Sequence, residues 1–179
     1  VILIKGYEHK FGRALNVLKA TLKSEKDIQN FKVVVFGAHE SILDFIKTNH
    51  LNYSFYTRHE LTHEEVLKLM GKSVIYIGNN ISDGMANTLL ESIVMGAFPI
   101  QSNPGNVSAE IVENGQTGFL INDPYDIEDI SELISKALND KKLLETARKI
   151  NYKISENLDH YFLKQKIINA YSRINLSKL

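Results

Sequence analysis

Asp83-Gly84-Met85-Ala86-Asn87-Thr88-Leu89-Leu90-Glu91, followed by the apolar run Ser92–Ile100, is the stretch around which the chain is organised. Glu91 is the only charged residue between Thr88 and Ile100, in a segment that otherwise reads as buried helix followed by buried strand. Removing water from a carboxylate costs several kcal/mol unless the group is paired or hydrogen-bonded. On a helix, Asn87, Thr88 and Glu91 share one face, while Leu89, Leu90, Ile93 and Val94 take the apolar sides. A polar stripe heading a buried helix, with Asp83-Gly84 just before it, reads as a helix N-terminus turned toward a ligand.

Working outward, hydrophobic runs alternate between strand-like and helix-like along the chain. Strands are expected at Val1–Lys5, Phe31–Phe36, Asn52–Tyr56, Ser73–Ile77, Phe98–Gln101 and Gly118–Ile121. Between them, Phe11, Ala14, Leu15, Leu18 and Leu22 fall at helical spacing, and polar Lys23–Asn30 closes that unit. Ile42, Leu43, Phe45 and Ile46 make a second helix. Thr62-His-Glu-Glu65 has capping-box spacing and starts a third, stopped by Gly71. A short helix is expected around Val107–Val112. Ile127, Ile130, Ile134 and Ala137 mark a longer one opened by Pro124 and Asp126, and two helical stretches over Lys141–Leu158 and Tyr161–Ile174 finish the chain. Such alternation predicts an α/β, doubly wound parallel sheet of about six strands with helices on both faces. Ligands then bind outside the carboxyl ends of the strands, at the loops Gly6–Lys10, Gly37–His39, Thr57–Leu61, Gly78–Met85 and Ser102–Val107.

Composition bounds the rest. The 179 residues, 44% of them hydrophobic, suit one well-cored domain, residues 1–179, with 141–179 as its C-terminal helices. Twenty-one basic residues balance 21 acidic ones, so no global field points to nucleic acid. The charges are unevenly placed: Asn122–Asp140 carries six acids against Lys136, and Lys141–Leu179 nine basic residues against three acids. Both read as solvated faces of surface helices. Without cysteine there is no disulfide, thiolate metal site or cysteine nucleophile. No apolar run approaches the ~20 residues a membrane span needs, and no signal sequence opens the chain. A cytoplasmic protein is expected. Val1 already lies inside an apolar run, so the chain is expected to be part of a longer one.

Gly84 allows close backbone approach, and the amides of the following helical turn attract phosphate-like anions. The plainer alternatives are an ordinary N-cap at Asp83 and a structural ion pair at Glu91 with a Lys or Arg. The six histidines show no metal-ligand spacing; His59 and His63 are four apart, but the helix begins only at Thr62. His39 reads as a loop-capping residue. Neither a nucleophile elbow nor a P-loop nor a zinc motif is present.

Asp83-x7-Glu91, in the setting Ser82-Asp-Gly-Met-Ala-Asn-Thr-Leu-Leu-Glu-Ser-Ile-Val-Met-Gly-Ala-Phe-Pro-Ile100, resembles the acid-x7-Glu segment of retaining glycosyltransferases of the GT-B fold, family four in particular. The resemblance continues through Asn103-Pro-Gly-Asn-Val-Ser-Ala-Glu110 and Val112-Glu-Asn-Gly-Gln-Thr-Gly-Phe-Leu-Ile121. It implies the C-terminal, Rossmann-like half of a two-domain enzyme, binding a nucleotide-diphosphate sugar, with an N-terminal acceptor domain outside this chain. Any membrane association would come through that other half.

Carried over by position, the resemblance gives Glu91 the ribose hydroxyls and the amides of Asn87, Thr88 and Leu89 the diphosphate. Asp83 and the Gly84–Met85–Ala86 backbone would contact the sugar. The family's first acid is usually Glu, so Asp83 is one methylene short. The family also uses an Arg and a Lys near the first strand to neutralise the leaving diphosphate. The matching region is Lys5-Gly6-Tyr-Glu-His-Lys10-Phe-Gly-Arg13, with Lys5 and Lys10 as the pair and Gly6 beside them, and the Arg replaced or shifted. Arg58 and His59 sit where the family places the base. No metal or other cofactor is expected. The alternatives are another enzyme of this fold, such as a nucleotide-sugar epimerase, or a non-catalytic nucleotide-binding or signalling domain.

Overall fold

A computed structural model describes residues 1–158 and 160–176 of the chain. Six parallel strands form one sheet in the order β3-β2-β1-β4-β5-β6: β1 Ile2–Lys5, β2 Val33–Ala38, β3 Ser54–Thr57, β4 Ile75–Gly78, β5 Phe98–Ser102 and β6 Phe119–Ile121. The helices are α1 Ala14–Lys23, α2 Glu25–Ile28, α3 Glu40–Thr48, α4 His63–Gly71, α5 Asn87–Val94, α6 Ile127–Asn139, α7 Lys141–Glu156 and α8 His160–Leu176. This is the doubly wound, Rossmann-like arrangement expected from the alternation. Its topological switch point lies where β1 pairs with β2 on one side and β4 on the other.

Successive strand residues point to opposite faces, and the core divides accordingly. Ile2, Ile4, Val33, Val35, Ile75, Ile77 and Ile100 pack against Val17, Leu18, Ile42, Ile46, Ile130 and Ile134 of α1, α3 and α6. Leu3, Val34, Phe36 and Tyr76 face the other way, onto Met70 and the partly buried Val66 and Leu67 of α4. Leu89 and Ile93 of α5 pack with Val112 and Leu120 alongside. Gly6 closes the approach of β1 to β2, because a Cβ there would lie 2.7 Å from both Ala38 Cα and Val35 Cγ1.

Four local expectations are corrected. Lys23–Asn30 is not simply a closing loop: Glu25–Ile28 forms a helical turn that buries Ile28. Gly37 does not end β2; it sits at φ +62°, and the pairing with β3 shifts register between Val35 and Ala38, so the strand bulges and continues. The segment around Val107–Val112 is two 3-10 turns, Pro104–Asn106 and Ser108–Glu110, joined at Val107, with Gly105 and Asn106 of the first at positive φ. Phe11 lies before α1 and is 41% exposed, because the antiparallel bridge between Gly12 and Asn80 ties that backbone to another loop. The last three residues of the expected 141–179 unit, and Asp159, fall outside the described residues. Among the described residues, no helix is long and apolar enough to cross a membrane.

Candidate functional site

The loops after β1 and β4, at the switch point, are stitched together. Arg13 N donates to Asn79 O at 2.9 Å, Ile81 N donates to Phe11 O at 2.8 Å, and Gly12 bridges Asn80. The seam gathers Lys5, Tyr7, Phe11, Asn80, Ser82 and Asp83 around a cavity of about 350 Å³. Neighbouring loops carry a second cavity of about 430 Å³, lined by Tyr7, His39, Thr57 and Arg58 among others. Tyr7 is common to both.

Lys5 is the cation of the first cavity. Burial pulls its ammonium below the ordinary lysine range, and the carboxylates of Asp83 and Glu91 partly restore it. One half-buried lysine thus feels both acids of the Asp83–Glu91 stretch. Its Nζ also lies 5.7 Å from the Tyr7 ring centroid. Asp83 accepts a hydrogen bond from Asn80 Nδ2 at 3.0 Å. Asn80 is itself fixed by its backbone N–H, which donates to Ser102 Oγ at 2.8 Å, and its buried Oδ1 has no partner.

The helix start differs from the plain capping alternative. Ala86, not Asp83, is the N-cap of α5, and no side chain caps this end. Of the three amides expected to meet a diphosphate, that of Leu89 already donates to Ala86 O at 2.9 Å. Asn87 and Thr88 are left to head the helix, whose dipole favours an anion there. Thr88 is oriented from beneath: buried Tyr76, on β4, donates its hydroxyl to Thr88 Oγ1 at 2.8 Å. Burial pushes the Tyr76 phenol far up, and Asp83 and Glu91 push it further, so it stays a donor at any working pH. A Cβ at Gly84 would meet nothing within 4 Å, so the backbone there borders open space.

Glu91 is only partly buried, its side chain 26% exposed, and its partner is neither Lys nor Arg. His63 Nε2 lies 2.9 Å from Glu91 Oε1. Leu89 and Ile93 are buried as expected, whereas Leu90 is half-buried and Val94 is 50% exposed, since α5 covers the sheet with one face only.

The remaining expected residues lie further out. Lys10 is exposed, with its ammonium 5.3 Å from the Phe11 ring centroid, and it does not line the Lys5 cavity. Arg58 lines the second cavity; His59 is exposed in the turn beside it at φ +75°. Arg13 is held by the carbonyls of His9 and Gly12 and by the Tyr125 hydroxyl. His39 caps α3, its Nδ1 accepting from Ser41 N at 3.3 Å. Tyr76 and Asn80 are not singled out from the sequence, and His63 enters it only as a rejected metal ligand beside His59 and within the capping box. Only His63 carried a signal, the capping box that places it first in α4.

Comparison with known proteins shows the family and the fold. The family model described as glycosyl transferases group 1 matches residues 10–154. Among curated proteins, the GtfA subunit of a UDP-N-acetylglucosamine–peptide N-acetylglucosaminyltransferase from Streptococcus pneumoniae is 24% identical over 166 residues, covering 88% of this chain and 31% of that protein. Its crystal structure with UDP and GlcNAc superposes with a TM-score of 0.75 at 21% identity, covering 97% of this chain and 34% of that one. Staphylococcus aureus TarM, in a complex that includes UDP and α-GlcNAc-glycerol, gives 0.76 at 14% identity, covering 94% of this chain and 34% of that one. The C-terminal domain of the group 1 protein LpcC from Francisella tularensis gives 0.73 at 19% identity, covering 87% and 84%. The chain therefore spans about a third of the length of GtfA and TarM.

Proposed function

This chain belongs to the glycosyl transferases group 1 family, and from that premise we propose that it is the donor-binding part of a retaining glycosyltransferase that uses a UDP-sugar. The observation that carries the reading is the switch-point cavity that Lys5 and Asp83 line together, with Lys5 also in the field of Glu91. UDP is the nucleotide in the GtfA and TarM complexes, and N-acetylglucosamine the sugar in both, so UDP-N-acetylglucosamine is the first donor to test.

In this reading the diphosphate lies at the head of α5, between the amides of Asn87 and Thr88 and the Lys5 ammonium. As the glycosidic bond breaks, negative charge grows on the departing diphosphate and positive charge on the sugar ring. A fixed ammonium and helix end stabilise the former without reorganising as the bond breaks. Asp83, held by Asn80, and the open backbone at Gly84 take the sugar hydroxyls. Glu91 accepts from the ribose, and the uracil lies toward Arg58 beyond Tyr7. Lys10 stands at the rim as a second cation. The charge is neutralised here by protein groups, so no metal is invoked. The acceptor is supplied from an N-terminal domain outside this chain, without which turnover is slow or absent. A cytoplasmic setting is part of the same proposal.

A thermal-shift screen over nucleoside diphosphates and their sugars tests this reading. A ligand at a hundred times its Kd adds about 2.7 kcal/mol to the folded state. UDP and UDP-N-acetylglucosamine should raise Tm with or without magnesium. No shift with any nucleoside diphosphate or nucleotide sugar would overturn the proposal.

A further inference from the structure

We propose that His63 is a positioning residue for Glu91, holding one carboxylate oxygen so that the other is presented to the ribose hydroxyls. The inference rests on the ribose role proposed above for Glu91. Glu91 Oε1 lies 2.9 Å from His63 Nε2. A carboxylate only accepts, so Nε2 is the donor and carries the proton.

The imidazole is presented from a fixed point. His63 is the first residue of α4, and the turn beneath it is locked reciprocally: Glu65 N donates to the Thr62 side chain, while Thr62 N donates to Glu65 Oε2 at 2.8 Å. Helix α4 packs on α5, which carries Glu91. The other charged groups nearby on α4 are engaged with each other, since Lys68 Nζ lies 2.7 Å from Glu64. His63 is therefore what α4 offers to Glu91, while Lys5 at the end of β1 lies in its field from the sheet side.

A pair this open contributes little to folding. The His63 side chain is 68% exposed, and ion pairs between exposed groups are close to neutral for stability. Its effect is local. Glu91 has three rotatable side-chain bonds and borders a largely apolar groove that Asn87 also lines, and its carboxylate is hydrogen-bonded there to His63. Without His63 the carboxylate would sample several orientations, and each ribose hydrogen bond would first have to order it. His63 thus belongs to recognition of the nucleotide's sugar ring, not of its phosphates or base.

The test is a calorimetric titration of the wild type, His63→Ala, His63→Gln, Glu91→Ala and the His63→Ala/Glu91→Ala double variant. Each is titrated with UDP and with its dideoxyribose analogue, which lacks both hydroxyls. His63→Ala should weaken UDP by about three- to ten-fold and the analogue hardly at all. His63→Gln, which keeps a donor, should recover most of the loss. Glu91→Ala should abolish the preference for UDP, and adding His63→Ala to it should change nothing further. If Glu91→Ala removes the preference but His63→Ala leaves it intact, the positioning role fails and the ribose reading stands. Equal losses for the two ligands, additive losses in the double variant, or tighter UDP binding in His63→Ala would also overturn the positioning role. A preference unchanged by Glu91→Ala would overturn the ribose reading and the positioning role together.

Discussion

Lys5→Met removes the ammonium of the switch-point cavity while keeping most of the half-buried stem, so its effect isolates charge. At 4 Å and an effective dielectric near 20, two unit charges interact by about 4 kcal/mol. That figure is an upper bound here, because Lys5 is already attracted by Asp83 and Glu91 and the phosphate must shed water. What survives is the net worth of a charged hydrogen bond, about 1.5–3 kcal/mol, or roughly a 10- to 150-fold loss of UDP affinity. Uridine, which lacks the diphosphate, should lose almost nothing.

The alkaline limb gives a second readout of the same group. Because burial lowers the Lys5 pKa, its charged form is disfavoured in the fold. The folded protein releases this proton before the unfolded chain does, so that penalty is full below the folded pKa and fades as pH rises toward the ordinary lysine value. UDP affinity should begin to fall as pH rises through the lowered folded-state pKa of Lys5, and the Met variant should lack the step. The Met variant should also be no less stable than wild type at neutral pH. Isothermal calorimetry at fixed ionic strength measures the affinities. Equal losses for UDP and uridine, or none for either, would refute the assignment of Lys5 to the diphosphate.

Gly84→Ala should leave Tm unchanged, since its Cβ meets nothing within 4 Å, yet weaken UDP-N-acetylglucosamine relative to UDP. An unchanged ratio in a competition assay would remove that backbone from the sugar. Gly6→Ala places a Cβ 2.7 Å from the Ala38 Cα, so denaturant unfolding should show a loss of about 1–3 kcal/mol from overpacking; an unshifted midpoint would mean that β1 and β2 can separate freely. Tyr76→Phe removes the hydroxyl 2.8 Å from Thr88 Oγ1. It should cost about 1 kcal/mol in stability and several-fold in UDP affinity, and full affinity would show that Thr88 needs no orienting donor.

The sheet was legible because its signals are local. Ile2-Leu3-Ile4 and Val33-Val34-Val35 are apolar on both faces, as strands covered by helices on either side must be. The Thr62–Glu65 capping box was legible too, since it spans one helical turn. What could not be read depends on pairs far apart in sequence. His63 meets Glu91 across 28 residues. Tyr76 looks like another strand hydrophobe until α5 brings Thr88 over it. Asn80 becomes a site residue only through Ser102, 22 residues on, and through the loop bridge to Gly12. Glu91 was noticed for a sound reason, a carboxylate in an apolar run. Its burial was overestimated, because helical periodicity does not say how much of α5 the neighbouring helices cover.

The most direct test of the central claim is the affinity of this chain for UDP in magnesium-free buffer, compared between wild type and Glu91→Ala. The account predicts saturable one-to-one binding, weakened by about 1–3 kcal/mol when the charged hydrogen bonds to ribose are lost. A wild-type chain that does not bind UDP, or a variant that binds it equally well, would contradict it.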